Sequence, residues 1–283
     1  MKSINTSQVR QLIDRALAED VSYGDATTEI LIPENQRGKA SIIAKARGII
    51  AGVDVAKQVF LEVDPELKLD ILIKDGTEVE TGHIVAKIEG KIASILKAER
   101  VALNFLQRLS GIASETARYV KAVKGLPVLI TDTRKTTPGL RILEKYAVRV
   151  GGGKNHRMHL GDNILIKDNH LAALSHQGLS IREIVTRARQ KAAPKLKIEV
   201  EVDTQKEAIE AAKAGADIIM LDNMNIEDMR QTVQLIKGRA LIEASGGITL
   251  ERVRAIAETG VDLISIGALT HSPKALDISL ELD

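Results

Sequence analysis

Downstream of Pro127 the chain keeps one rhythm: short apolar runs, each separated from the next by polar or helix-like sequence. The runs are VLIT (128–131), ILIK (164–167), IEVEV (198–202), DIIML (217–221), ALIEA (240–244) and LISI (263–266), with helical spacing in 181–192 and 204–214. Short apolar runs alternating with helices are how parallel strands buried on both faces read. Two of the units repeat: AGADIIMLD (214–222) and TGVDLISIG (259–267) align at an offset of 45 residues, with one strand between them. Half that offset is the strand-plus-helix step of a barrel. Six strands are countable against the eight of a closed (β/α)₈ barrel, so two are missed or the barrel is incomplete.

The first third has a different texture. Val9, Leu12, Ile13, Ala16 and Leu17 follow helical spacing, with Thr6 or Ser7 as cap and an end near Asp20, before Tyr23-Gly24-Asp25. From Gly38 to Gly90 short Ile/Val-rich runs are separated by glycine, as in small β-strands. Asp75-Gly76 and Thr81-Gly82 mark turns, the second between strands at 77–79 and 83–88. This stretch resembles the hammerhead of biotinyl and lipoyl carrier domains, but no modifiable lysine sits at a hairpin tip, so only a β-fold is read from it. Residues 91–119 read as a helix broken at Ser110-Gly111, with Arg100 beside Glu99.

Composition removes several classes of function. Aromatics are two Phe, three Tyr and no Trp, so the core must be aliphatic and base-stacking platforms are absent. The net charge of +2 offers little for counterion release along a nucleic-acid backbone. With no cysteine there are no disulfides, thiolate metal sites or thiol nucleophiles, which fits a reducing cytosol; a cytoplasmic location is expected. The N-terminal sequence has no apolar signal region, and no run approaches the ~18 apolar residues of a membrane span.

Against that near-neutral background, residues 131–171 carry eight Lys or Arg and four acids, a local +4, together with three of the six histidines. A local concentration of cations points to an anionic ligand. In parallel barrels the active site lies at the carboxyl ends of the strands. The residues there are Asp132-Thr133-Arg134-Lys135, Lys167-Asp168-Asn169-His170, Glu199 and Glu201 with Asp203, Asp222-Asn223, Ser245-Gly246-Gly247, and Gly267-Ala268-Leu269. Arg134, Lys135, Arg157 and Lys167 can neutralise several negative charges, arginine gripping carboxylate or phosphate bidentately. Glu201 and Asp222 offer hard oxygen ligands for Mg²⁺, or acceptors for sugar hydroxyls. Ser245-Gly246-Gly247 and Gly267-Ala268 follow the last two strands, where barrels commonly hold a phosphate on backbone N–H groups. The ligands implied are anionic, phosphorylated and Mg-bound.

Plainer readings apply to several neighbours. Arg141, Lys145 and Arg149 fall at i, i+4 and i+8 and read as one solvated helix face. His156-x-x-His159 has helical metal-ligand spacing but no acid at a motif position, which argues against zinc. Gly151–Gly153 either brings backbone close to a ligand or is a plain loop. Glu199 shares a strand face with Glu201, so only one need face a ligand, and Glu199 reads as structural.

At these residues the resemblance becomes specific. T-D-T-R-K-T-x-P-G-L-R (131–141), K-Y-A-V-R-V-G-G-G (145–153), N-H-R (155–157) and I-K-D-N-H (166–170) resemble the quinolinate phosphoribosyltransferase family. So do E-D-x-x-x-G-D-x-T-T (19–28), A-E-R-x-x-L-N (98–104), E-V-E-V-D (199–203), L-D-N (221–223), S-G-G-I (245–248) and G-A-L-T-H-S (267–272), which together reach across nearly the whole chain.

The resemblance implies an α/β fold of two parts. An N-terminal α/β sandwich would span 1–110 and an open parallel α/β barrel of about six strands 111–271, with a tail, 272–283, returning to the first. It implies transfer of phosphoribosyl from phosphoribosyl pyrophosphate to quinolinate with Mg²⁺, giving nicotinate mononucleotide, pyrophosphate and CO₂. By matching motif positions Arg100, Arg134, Lys135, His156, Arg157 and Lys167, with Thr133 beside them, would hold carboxylates and phosphates. Glu201 and Asp222 would face the ribose and Mg-pyrophosphate, ligating the metal directly or through water. Ser245, Gly246, Gly247, Gly267 and Ala268 would take the 5′-phosphate. Lys135, Glu201 and Asp222 are the candidate catalytic residues. In the family Arg100's equivalent comes from the neighbouring subunit, implying a homodimer. The alternatives are a transferase using nicotinate or another ring acid, and a non-catalytic binding homologue. Intact Lys135, Glu201 and Asp222 argue against the latter.

Overall fold

The structure, a computed structural model, describes residues 6–236 and 238–283. Contacts divide the chain into two compact units. One runs to Ala117 and takes in Thr136–Gly152 and Ala268–Asp283; the other is Arg118–Lys135 with Gly153–Gly267. The chain thus returns to the first unit twice, at 136–152 and at 268–283.

In the first unit α1 (Ser7–Val21) buries Val9, Ile13 and Leu17, and the Thr6 hydroxyl caps it by accepting from the Val9 N–H. Asp25 caps α2 (Ala26–Leu31) by accepting from the Thr28 N–H at 3.0 Å. The chain continues through β1 (Arg37–Ala44), β2 (Gly48–Ile49), α3 (Val53–Val63), β3 (Lys68–Ile71), β4 (Glu78–Val79) and β5 (Ile84–Lys91) into the long α4 (Ile92–Ala122). The Asp75 carboxylate closes the start of α3, accepting from Gly52 N–H at 2.8 Å and Val53 N–H at 3.0 Å. The Tyr146 hydroxyl also donates to it at 2.6 Å.

The strands expected either side of Thr81-Gly82 are present as β4 and β5, with different partners: β4 pairs with β2, while β5 lies between β1 and β3. The helix break expected at Ser110-Gly111 is not there, since α4 runs unbroken through it. The Ser110 hydroxyl accepts from the Ala51 N–H at 2.9 Å, and a Cβ on Gly111 would stand 2.1 Å from the Lys274 carbonyl oxygen. That glycine marks a close approach of backbone, not a helix end.

The second unit opens with β6 (Leu129–Thr131). After α5 (Arg141–Val150), which belongs to the first unit, come β7 (Ile164–Ile166), α6 (Asp168–Ser175), α7 (Ile181–Lys191), β8 (Ile198–Val202), α8 (Gln205–Lys213), β9 (Ile218–Asp222), α9 (Ile226–Ile236), β10 (Leu241–Ser245), α10 (Val253–Ala257) and β11 (Leu263–Ser265). The chain ends in α11 (Ala268–His271) and β12 (Ile278–Leu282), the latter pairing antiparallel with β1. The six parallel strands are ordered β6-β11-β10-β9-β8-β7. β6 and β7 are the two ends of that order and do not pair with each other, so the barrel is open and has no further strand among the described residues. Their core is aliphatic: Val200, Ile219, Leu221, Ile242, Ala244 and Ile264 are buried. No helix among the described residues is long and apolar enough to cross a membrane.

The face of α5 is also not what its charges suggest. Lys145 is wholly buried and so is Glu144, while Arg149 is exposed and Arg141 intermediate. Glu144 accepts from the Arg108 guanidinium at 2.8 Å, from the Thr137 N–H at 3.1 Å and from the Thr137 hydroxyl at 2.8 Å, which makes its burial tolerable. After α5, a Cβ on Gly151 would meet the Ala113 carbonyl oxygen at 2.4 Å, so this part of the triple glycine serves helix packing.

Candidate active site

The carboxyl ends of the six parallel strands surround a cavity of about 360 Å³. Thr133, Arg134, Lys135, His156, Arg157 and Lys167 line it on the cationic side. Glu201, Asp222 and Ser245 line it further round the rim, and Leu165, Met220, Glu243 and Ser265 complete the wall. Parallel register produces this arrangement, since it sets strand ends level: Asp222 is paired with Ser245, Glu201 with Met220, and Ser265 with Thr131.

His156 and Arg157 belong to no strand, and the buried Asp132 brings them in. Lys154 bridges Thr131 in parallel, extending the edge of β6. The Asp132 carboxylate then accepts from the His156 N–H at 2.9 Å and from the Asn155 amide at 2.5 Å. The segment is not helical, which removes the spacing behind a His156–His159 pair. Arg157 donates to the Asn163 carbonyl at 3.3 Å. Burial, and then the neighbouring Arg134 guanidinium, hold Arg157 below its usual range. Arg134 keeps a buried Nε without a hydrogen-bond partner. Two crowded, partly desolvated guanidiniums make a place where an anion is strongly favoured.

Across the cavity Lys167 Nζ lies 3.2 Å from Glu201 Oε2. The acidic rim continues beyond it: burial, and then Asp222, raise the Asp203 carboxyl above its usual range, with Glu207 and Asp168 adding to the effect. Such crowding of carboxylates favours a cation or a polyol.

Gly246, Gly247, Gly267 and Ala268 lie outside the cavity lining, at the turns that follow β10 and β11. Gly246 has φ +84°, and a Cβ there would stand 2.3 Å from Asn223 Oδ1. Asn223 is itself left-handed at φ 52°, its N–H donating to the Ser245 carbonyl and its side-chain amide to Asp222. This glycine therefore lets two turns interlock. Arg100 lies in the other unit, exposed on α4.

Glu243 and Ser265 were missed as site residues, and Asp132, placed on the rim, was given no role. A signal existed for Glu243: it is an acid inside an apolar run, on the same strand face as Ser245. Glu199 is buried, with Oε2 3.1 Å from His156 Nε2, while Glu201 lines the cavity.

Family profiles described as quinolinate phosphoribosyl transferase, N-terminal domain and C-terminal domain, match residues 25–110 and 112–281. This chain belongs to that family. It is 45% identical over 279 residues to the probable nicotinate-nucleotide pyrophosphorylase (carboxylating) of Bacillus subtilis, covering 99% of this chain and 95% of the relative. The crystal structure of NadC from Streptococcus pyogenes superposes with a TM-score of 0.95 at 44% identity, covering 100% of this chain and 99% of the other. The nicotinate-nucleotide pyrophosphorylase of Francisella tularensis gives 0.91 at 38% identity, with full coverage of both chains. As in those relatives, the open barrel is part of a quinolinate phosphoribosyltransferase fold.

Proposed function

We infer that the chain is a decarboxylating quinolinate phosphoribosyltransferase: it joins quinolinate to the phosphoribosyl group of phosphoribosyl pyrophosphate, releasing pyrophosphate and CO₂ and forming nicotinate mononucleotide for NAD biosynthesis. The observation that carries this reading is the single cavity where a cluster of cations faces acidic and serine strand ends, in a chain whose near-full-length relatives are named for this reaction.

Arg134, His156, Arg157 and Lys167 hold the two carboxylates of the ring acid, with Thr133 beside them. Lys135 meets the pyrophosphate, and Glu201 and Asp222 face the ribose. Ser245, with the turns at Gly246-Gly247 and Gly267-Ala268, takes the 5′-phosphate. Clamping both substrates puts the ring nitrogen in line with C1′. The nitrogen lone pair forms the N–C1′ bond as the C1′–O bond breaks, its electron pair leaving with pyrophosphate. Glu201 and Asp222 stabilise the positive character that develops on the ribose. The ring nitrogen is then cationic, and it draws in the electron pair left on the adjacent carbon when its carboxylate departs as CO₂. That carbon takes up a proton to give the product.

Bound Mg²⁺ would neutralise the leaving pyrophosphate, and the acids crowded around Asp203 and Asp222 suit such an ion. Arg100, exposed on α4, suits reaching into a neighbouring subunit's cavity in a homodimer. Cytoplasmic residence belongs to the same reading.

The test is turnover. Purified chain with quinolinate, phosphoribosyl pyrophosphate and Mg²⁺ should release pyrophosphate and labelled CO₂ in equal amounts, and chelating the metal should stop it. Nicotinate, with one carboxylate fewer, should be a poor acceptor. No product from quinolinate would overturn the reading; preference for nicotinate would replace it with the related transferase.

A further inference from the structure

Beneath the cation cluster lie two carboxylates that the chemistry above does not use. Glu199 on β8 and Glu243 on β10 are 1% and 0% exposed. Each sits two residues before a rim residue, Glu201 and Ser245, so their side chains share the inward strand face one layer deeper. Both meet at one atom: His156 Nε2 is 3.1 Å from Glu199 Oε2 and 3.6 Å from Glu243 Oε2. Neither oxygen of Glu243 makes a hydrogen bond of good geometry; the Ser265 hydroxyl, likewise unmatched, is near enough only to lower its carboxyl slightly. Burying a carboxylate without partners costs several kcal/mol, and apolar residues in two otherwise apolar strands would avoid it. Retaining two carboxylates around one imidazole needs a reason other than stability.

We propose that Glu199 and Glu243 are positioning residues for His156: Glu199 accepts from its Nε2–H, and Glu243 faces the same nitrogen at 3.6 Å and adds its charge from below. The imidazole is thereby kept in one tautomer and one orientation where it lines the cavity. Asp132 fixes the backbone of the same residue through its N–H, so His156 is held at both ends. This rests on the reading that His156 binds the ring acid. Burial, and then the proximity of Glu199, push the Glu243 carboxyl up to about 7 while His156 opposes the rise, consistent with a buried cluster that depends on the ring. The three residues could in principle ligate an ion, since their ligand atoms lie within 4.8 Å of one another. The guanidiniums of Arg134 and Arg157 in the same cavity oppose an added cation, which favours the imidazole as the group the carboxylates serve.

The experiment is a double-mutant cycle on the full chain, with Glu243→Gln, Glu199→Gln and His156→Ala alone and combined, each checked by thermal melting. Glu243→Gln should raise KM for quinolinate about tenfold, as expected when the imidazole loses a buried carboxylate 3.6 Å from its Nε2, and leave KM for phosphoribosyl pyrophosphate within about twofold. In the His156→Ala background neither glutamine substitution should add a further loss. Imidazole ¹⁵N spectra, which need no turnover, should show His156 protonated at Nε2 in the wild type and altered in Glu243→Gln. Equal losses from Glu243→Gln with and without His156 would overturn the proposal, as would an unaltered His156 spectrum in a folded Glu243→Gln protein. A rise in melting temperature with Zn²⁺ or Mn²⁺ that Glu243→Gln abolishes would overturn it in favour of an ion site. If His156→Ala leaves quinolinate KM unchanged, the assignment of His156 to the ring acid fails, and this inference falls with it; the assignment of the reaction would stand.

Discussion

Lys167 and Glu201, carried at the ends of adjacent strands, form an ion pair of 3.2 Å on the wall of the cavity. The lysine side chain is 47% exposed and the glutamate 12%, so the pair stands at the boundary between solvent and the buried floor. A half-exposed pair contributes little to stability, of the order of 1 kcal/mol at most. Its value is in what it can exchange. In the proposed reaction an anionic ring acid would compete for Lys167 and free Glu201 to face the sugar. Lys167→Ala is expected to raise KM for quinolinate at least tenfold and to shift Tm by only a few degrees. Steady-state kinetics with a melting curve would check both, and an unchanged KM would remove Lys167 from the acceptor subsite.

Lys135 follows β6 at the mouth of the same cavity and is exposed. A cation aimed at charge that develops on a leaving group acts mainly in the transition state. Lys135→Ala should lower kcat by about 10²–10³-fold with little change in melting temperature. A folded variant with a near-normal rate would exclude the residue from the mechanism.

Arg108 and Glu144 set the opposite case, an ion pair whose acid is fully buried. Truncating the arginine leaves that carboxylate without its cation, with the Thr137 groups as its remaining hydrogen-bond donors. Arg108→Ala is expected to cost about 3 kcal/mol in denaturant unfolding. A loss below 1 kcal/mol would mean that Glu144 is satisfied without it.

The raised Glu243 carboxyl gives a pH dependence of definite sign. Between the ordinary glutamate value of 4.5 and about 7, the unfolded chain gives up this proton while the folded protein keeps it. Stability from this group is therefore lost as pH rises through that window. Glu243→Gln should flatten the decline in stability between about pH 4.5 and 7, measurable as melting temperature against pH. A wild-type slope retained in the variant would assign the decline to other groups.

Much of this was legible in the sequence because strand alternation and parallel register are local rules. Six apolar runs place their terminal residues on one rim whatever the helices between them do, so Lys135, Lys167, Glu201, Asp222 and Ser245 could be grouped without coordinates. The first helix, ending near Asp20 with a cap at Thr6 or Ser7, was legible for the same reason, since capping and helical period involve only near neighbours. The misreadings all concern residues whose role depends on a distant segment. Gly111 reads as a helix break until the Lys274 backbone is laid against it. Lys145 reads as solvent-facing until the surface around it is closed.

By itself, then, the sequence determined six parallel strands with a polar rim and most of the cavity's charged residues, through periodicities that act over a few residues, and its motifs carried the family resemblance that implied an open barrel. Only the tertiary structure decided that Asp132 draws His156 to the rim, that Glu199 and Glu243 converge beneath it from strands β8 and β10, and that Gly246 interlocks with Asn223. Burial and through-space charge depend on which strands become neighbours, and no spacing along the chain encodes them.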